Sequence, residues 1–111
     1  MKVFDLKENA KNNSGEYVFG AADTGSHACY MIYGTLKPGE KGRLIKPGKG
    51  HEEMLVVVQG ELTVHGCHEG LLKVGTAVHL VGEQTCFLEN IGVSEAVYIA
   101  AGGHSAEGHR H

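Results

Sequence analysis

Hydrophobic residues in this chain fall in short alternating runs, and the three-to-four-residue spacing of an amphipathic helix is nearly absent. The runs recur roughly every eight to twelve residues, with Gly, Pro or charged residues between them, which is typical of an all-β sandwich or barrel. The pattern predicts strands at residues 29–36, 53–58, 61–65, 71–74, 77–81, 85–90 and 95–101.

The two ends of the chain are less regular. Residues 3–12, VFDLKENAKN, fit either a short helix or an edge strand. The tail at 102–111, GGHSAEGHRH, is expected to be disordered. A chain of 111 residues is the size of one domain. We therefore expect a single domain with its core at about residues 29–101.

The segment EMLVVV is apolar on both faces of its predicted strand. Leu55 and Val57 point one way, while Met54, Val56 and Val58 point the other. One face should line the interior, and the other also needs cover, because a monomer rarely leaves a long apolar patch in water. This predicts a homodimer packed sheet on sheet, unless the N-terminal segment covers the face instead.

The charge composition indicates which kinds of molecule the protein could bind. Ten basic and thirteen acidic residues give a formal charge of -3, and no basic run could follow a phosphate backbone. Nucleic acid and anionic membranes are therefore poor partners, and a small molecule or a protein fits better. No apolar stretch is long enough for a secretory signal or a membrane span.

The cysteines favour a reducing compartment. Cys29, Cys67 and Cys86 cannot all pair within one chain, and they show no C-x-x-C spacing. We expect reduced thiols and a soluble cytoplasmic protein.

Polar residues stand directly ahead of the apolar run in GHEEMLVVV. Because side chains in a strand repeat every two residues, His51, Glu53, Leu55 and Val57 share a face. If that face is the interior, an imidazole and a carboxylate lie at the mouth of an apolar cup. Such a cup is the usual form of a small-molecule site.

At this point the chain resembles the cupins, small antiparallel jelly-roll β-barrels. Glu53 and Gly60 match the first cupin motif, as EMLVVVQG, and Gly75 and Asn90 match the second, as GTAVHLVGEQTCFLEN. The hairpin between them, ELTVHGCHEGLLKV, has the length found in the family. The resemblance covers about residues 30–100 and implies a jelly-roll barrel with its site inside.

The resemblance also implies a metal centre, from which this chain departs. Metal-binding cupins carry histidines at positions that here hold Pro47, Lys49 and Cys86, and of the four usual ligands only Glu53 is retained. His51 falls where many relatives have a histidine that need not bind metal.

Two interpretations of the site stay open. In the first, His51, Glu53, His79 and Cys86 bind a divalent transition metal such as Zn, Ni or Fe, which suits imidazole, carboxylate and thiolate donors. The protein would then act on a small polar molecule, a sugar derivative or a carboxylate. In the second, the barrel is metal-free and binds or senses a small ligand, with Lys49 as a possible anion contact. Glu53 is the candidate catalytic base in either case. The enzymes of the family include isomerases, decarboxylases and dioxygenases, and nothing in the sequence selects among them.

Other candidates are weaker. The turn HGCHEG groups His65, Cys67 and His68, but a closed zinc site needs a fourth ligand. A Cys86 thiolate acting as a nucleophile beside a histidine is a third hypothesis.

Five further residues have suitable side chains at positions whose access to the cup is doubtful. His27 and Tyr33 reach the cup only if the strand at 29–36 lines it. The tail histidines His104, His109 and His111 are expected to be solvated.

Overall fold

The protein consists mainly of antiparallel β-strands, in a computed structural model that describes residues 1–105. Two short helices lie in the N-terminal quarter of the chain, one before and one after the first strand. In chain order the elements are α1 (Leu6–Lys11), β1 (Glu16–Phe19), α2 (Ala21–Thr24), β2 (Cys29–Leu36), β3 (Arg43–Ile45), β4 (His51–Gln59), β5 (Leu62–Gly66), β6 (Gly70–Leu72), β7 (Ala77–Val81), β8 (Cys86–Glu89) and β9 (Ala96–His104).

The strands form two sheets that enclose one core. One sheet has the order β1-β2-β9-β4-β7 and the other β3-β8-β5-β6. From β2 to β5 the chain crosses from one sheet to the other at each connection, which is the jelly-roll path. The core takes side chains from both sheets, among them Leu36, Leu55, Leu62 and Leu88. This confirms the expected all-β jelly-roll barrel.

Two short strands lie outside the segments predicted from the sequence. The strands β1 and β3 were not predicted, because β1 is only four residues long and β3 is three residues long between two glycine turns. The uncertain N-terminal segment contains helix α1, begun by Asp5, whose side chain accepts a hydrogen bond from the Glu8 amide at 3.0 Å. No helix among residues 1–105 is both long and apolar enough to cross a membrane.

The C-terminal strand runs further than expected. The prediction that order ends at residue 101 is wrong for the next three residues, because β9 continues to His104 as the partner of β2 and β4. His109 and His111 lie outside the described residues.

At one end of the barrel a buried tyrosine joins the two sheets. The Tyr98 hydroxyl donates to the carboxylate of Glu16 and accepts a hydrogen bond from Arg43 of the other sheet at 3.0 Å. Arg43 also donates to the carbonyl of Thr35 at 3.0 Å. Burial raises the pKa of Tyr98, so the hydroxyl keeps its proton as a donor.

A glycine makes room for that tyrosine. Gly34 on β2 lies opposite Tyr98 on β9, and a Cβ at Gly34 would come within 2.1 Å of the ring carbon Cζ. The aromatic ring therefore lies flat across the neighbouring strand only because residue 34 has no side chain.

We predict that Gly34→Ala lowers the free energy of unfolding by about 3 kcal/mol, because the methyl group must displace a buried ring. Urea denaturation measures the loss. Gly20→Ala is the control, since a Cβ at Gly20 meets an ordinary contact of 3.4 Å. Equal losses in the two variants would contradict the assignment of the effect to the ring of Tyr98.

Candidate functional site

Strand β4 carries a carboxylate into the barrel. It pairs with β9 on one side and β7 on the other, and one of its two alternating faces packs into the core against the second sheet. Glu53, Leu55 and Val57 are buried on that face, with Glu53 only 3% exposed, while Met54 on the other face is 63% exposed. The predicted inward orientation of the odd-numbered residues is thus confirmed.

A tyrosine from β2 reaches Glu53 across a glycine. Gly102 on β9 lies opposite both Tyr30 on β2 and Glu53 on β4, so the three residues form one row across the inner face. A Cβ at Gly102 would stand 2.5 Å from Cζ of Tyr30. Because that space is empty, the ring lies over the strand and its hydroxyl donates to Oε2 of Glu53.

The second oxygen of this carboxyl group is enclosed. Oε1 of Glu53 is buried and has no hydrogen-bond partner among residues 1–105. Buried polar atoms in folded proteins are normally paired, so an orphaned acceptor at the inner end of a mouth is a feature to be explained.

Burial dominates the electrostatics of the pair. It raises the pKa of Glu53, and the nearby charge of Glu16 acts in the same direction; the hydrogen bond from Tyr30 and the proximity of His51 oppose it. Burial and the bond to Glu53 likewise raise the pKa of Tyr30. The phenol therefore stays a donor, and the carboxyl group holds its proton to higher pH than an exposed glutamate.

Two histidines stand at the mouth above this pair. His51 on β4 lies opposite His104 on β9, and their rings stack with centroids 5.1 Å apart. The ring of His51 also meets the ring of Tyr30 edge-on at 6.2 Å. Three aromatic rings thus border the entrance to Glu53.

Backbone carbonyls orient both imidazoles. Nδ1 of His51 lies 3.1 Å from the carbonyl of Lys49, and Nε2 of His104 lies 3.1 Å from the carbonyl of His27. A carbonyl oxygen only accepts, so each of these nitrogens carries its proton. In the neutral ring, Nε2 of His51 is then the acceptor.

The prediction that His79 lies in the cup is wrong. On β7 the inward side chain is Leu80, opposite Glu53, so its neighbour His79 points outward. There Nε2 of His79 lies 2.8 Å from a carboxylate oxygen of Glu52. The sheet separates this imidazole from the interior.

The expectation of three reduced thiols is also wrong. Cys67 and Cys86 form a disulfide with their Cα atoms 5.3 Å apart, and among the described residues only Cys29 is a free thiol, on the surface. The two residues meet because β5 and β8 are neighbours in one sheet. Cys86 thus has no thiolate to offer as a metal ligand or nucleophile in this state, and the cysteines do not argue for a reducing compartment.

His65 of the HGCHEG turn is not placed as a metal ligand. The two ring nitrogens of His65 lie 3.0 Å from Glu69 and 3.2 Å from Glu89, and these carboxylates raise its pKa. The imidazole links the turn to β8 rather than serving as one ligand of a site.

The donor set does not fit a metal centre. Of the predicted ligands only His51 and Glu53 share the interior, and the structure places no group of three or more His, Cys, Asp or Glu side chains where they could hold a metal ion, as far as residues 1–105 are concerned. Pro47 and Lys49 supply no replacement.

Sequence reasoning missed two members of the site. Tyr30 was passed over in favour of Tyr33, which lies on the outer face opposite Tyr17 of β1. His104 was assigned to a disordered tail. The register of β9 against β2 and β4 would identify both residues. In that register Gly102, which lies opposite Tyr30, and His104 share the inner face with Tyr98.

A separate pocket runs beside these residues. It has a volume of about 280 Å³ and is lined by Glu52, Glu53, Met54, Ala101, Gly102 and Gly103. Four of the six residues face outward by strand alternation, so the pocket opens on the outer face of the sheet and not on the mouth.

Comparison with solved structures identifies the architecture. The protein TT1209 from Thermus thermophilus superposes with a TM-score of 0.68 at 22% identity, over 94% of this chain and 98% of that one. A predicted oxalate decarboxylase from Thermotoga maritima gives 0.66 at 18% identity, over 81% of each chain. The chain has the cupin fold.

Two further structures support that assignment. The cupin domain of Schizosaccharomyces pombe Cnp3 matches with a TM-score of 0.62 at 14% identity, over 72% of this chain and 58% of that one. An oxalate oxidase matches with a TM-score of 0.69 at 19% identity over 93% of this chain, which spans 56% of the enzyme. No protein-family model matches the chain, and no curated protein matches its sequence.

We predict that Glu53→Gln removes a pH-dependent loss of stability. Because the unfolded chain releases this proton near the ordinary pKa of 4.5 and the folded cupin barrel releases it only at higher pH, the wild-type free energy of unfolding falls as pH rises through that interval. Denaturation at a series of pH values measures the difference between wild type and variant. The exposed Glu61→Gln is the control, and a wild-type curve parallel to that of Glu53→Gln would contradict the prediction.

Proposed function

We propose that the protein is a cupin-fold module that binds a small polar molecule at the barrel mouth through Glu53, Tyr30 and His51, without a metal. The observation that carries the proposal is the enclosed Oε1 of Glu53, an acceptor with no partner among the described residues. Leaving such a group unpaired costs about 1–3 kcal/mol, which a ligand donating a hydrogen bond would offset.

The hydrogen-bond acceptors at the mouth favour a ligand that carries hydrogen-bond donors. Oε1 of Glu53 and Nε2 of neutral His51 both accept hydrogen bonds, so hydroxyl or N–H groups are the complementary chemistry. A simple carboxylate ligand would bring a second negative charge next to Glu53 and would have to overcome that repulsion. A neutral sugar derivative therefore fits better than a carboxylate.

The walls of the mouth favour the same class. The rings of Tyr30, His51 and His104 present flat, partly apolar surfaces around the carboxyl group. The C–H faces of a sugar ring pack against such surfaces while its hydroxyls bond the polar atoms between them. A few polar groups in an otherwise apolar wall are usual for small-molecule sites.

Access requires a small movement. Since Oε1 is enclosed, a ligand reaches it only when the ring of Tyr30 moves off Gly102 or the ring of His51 turns. Both rings are only partly buried and lie at the open end of the strands. We therefore infer that Tyr30 acts as a lid on Glu53, which moves aside to admit the ligand and then closes on it.

We predict that D-glucose and D-galactose bind the wild-type protein and that Glu53→Gln weakens the affinity about tenfold or more, as expected for the loss of a charge-assisted hydrogen bond. Saturation-transfer NMR titrations measure the affinities, since this method detects weak ligands. Glu61→Gln is the matched control and should bind like the wild type.

The other outcomes decide between hypotheses. Binding of glycolate but of neither sugar would overturn the choice of ligand class. Stoichiometric zinc in wild-type protein, lost in Glu53→Gln, would overturn the metal-free site and restore the metal-binding alternative. Absence of binding by sugars, glycolate and zinc alike would overturn the proposal as a whole.

A homodimer is the second part of the proposal. The outer face of the five-stranded sheet exposes Met54 by 63% and Val58 by 46%, on the interior strand β4. The N-terminal segment covers only the β1 side, where Phe4 packs on Phe19 at 4.8 Å. The paired Glu52 and His79 stand beside this patch, so it has an apolar centre and a polar rim, the composition of a subunit interface.

We expect sedimentation velocity to show a dimer for the wild type and a monomer for Met54→Lys, because the charge would be buried between two β4 strands. Val93→Lys replaces an exposed apolar residue that lies in the loop between β8 and β9 and not on β4, and this variant should remain dimeric. A wild-type monomer at high protein concentration would refute the dimer, whereas dissociation of both variants would refute the choice of face.

A further inference from the structure

The disulfide has one sulfur at the surface and one in the core. Cys67 is exposed in the turn between β5 and β6, whereas Cys86 begins β8 and is 2% exposed among core residues. A thiolate from solution can therefore approach the sulfur of Cys67 and not that of Cys86. We propose that Cys67 is a site of thiol–disulfide exchange, with a small dithiol as the substrate class, and that the exchange loosens the barrel mouth.

The exchange balances as an ordinary two-electron reduction. One thiolate of the dithiol attacks Sγ of Cys67, the Cys67–Cys86 bond breaks, and the sulfur of Cys86 leaves as a thiolate that takes up a proton. The second thiol of the reductant then closes its own disulfide and releases Cys67. Two protons and two electrons pass from the dithiol to the protein, which ends with two thiols.

The turn that carries Cys67 has its own internal hydrogen bonds. The carboxylate of Glu69 accepts from the amide of Gly66 at 2.6 Å and lies 3.0 Å from Nδ1 of His65. These contacts do not involve the disulfide, so the turn should keep its local form after reduction.

A series of contacts connects this turn to the backbone at the barrel mouth. Besides the disulfide, the amide of Cys67 donates to the carbonyl of Thr85 at 3.0 Å, in the loop between β7 and β8. The same loop begins at Gly82, whose amide donates to the carbonyl of His51 at 2.8 Å and whose carbonyl accepts from Gly48 at 2.9 Å. The stretch from Gly82 to Cys86 thus connects the disulfide to the backbone of His51.

The consequence is a redox-dependent mouth. With the disulfide formed, the β7–β8 loop is held at one end by the covalent bond and at the other by His51. After reduction, the turn stays joined to that loop by the Cys67–Thr85 hydrogen bond and by the pairing of Gly66 with Cys86 at the end of the β5–β8 ladder, and to β8 by His65 and Glu89. The loop gains freedom at the place where it supports His51.

The first experiment establishes the chemistry. Iodoacetamide labelling followed by mass spectrometry should find one alkylated cysteine in protein purified without reductant and three after treatment with dithiothreitol. In Cys29→Ser the corresponding numbers should be zero and two. Three labelled cysteines before reduction, or resistance of the disulfide to dithiothreitol in the folded protein, would overturn the proposal.

The second experiment tests the coupling. Hydrogen exchange at the amides of Cys67 and Gly82 should become about tenfold faster on reduction, while the amides of the β2–β9 ladder change less than about twofold. Cys67→Ser should match the reduced wild type and should not respond to dithiothreitol. Faster exchange at Cys67 with no change at Gly82 would overturn the link to the mouth.

A uniform rise across all strands would overturn the coupling as well, because it would signal global destabilisation. Neither experiment uses a ligand, so the outcome is independent of the sugar-binding proposal.

Discussion

The register between β2 and β9 is the constraint on which the rest of this protein depends. Along this pair, a tyrosine of each strand lies over a glycine of the other: Tyr98 over Gly34 and Tyr30 over Gly102. Each phenol then reaches a carboxylate on the next strand outward, Glu16 on β1 in one case and Glu53 on β4 in the other. A shift of one residue would turn one strand over relative to the other, so the two tyrosines would no longer share the inner face.

The two tyrosine–carboxylate pairs share a geometry and differ in their surroundings. At Tyr98, Arg43 supplies a positive charge, so the network is closed and joins the two sheets. At Tyr30 no cation is bonded to the pair within the described residues, and one oxygen of Glu53 is left over. The same device is therefore structural at one end of the barrel and open to chemistry at the other.

Strand alternation put Glu53 on one face with Leu55 and Val57, the resemblance to the cupins implied that this face is the interior, and the burial of all three residues confirms it. The same reasoning applied to β7 would have turned His79 outward, since Leu80 beside it is the core residue. Tyr30 could not be chosen over Tyr33 in this way, because the choice depends on which residue of β9 lies opposite.

Contacts between distant segments were beyond the reach of the pattern. Cys67 and Cys86 are 19 residues apart and meet only through the pairing of β5 with β8. Residues 102–104 were assigned to the tail, because two of them are glycines and glycines have no side chains that could form an alternating pattern. In the structure they belong to β9, which pairs with β2 and β4. The hydrophobic pattern therefore predicted the barrel, while its polar site depended on register.

The interlocked tyrosines and glycines also constrain how such a barrel can diverge. A side chain cannot be added at Gly34 or Gly102 while the ring opposite is present, and removing a ring first leaves a void in the sheet. Each tyrosine and its glycine therefore form an epistatic pair, in which either substitution alone is harmful and the two together can be tolerated. Descendants of this chain should retain both members of a pair or replace both, whatever happens at the surface between them.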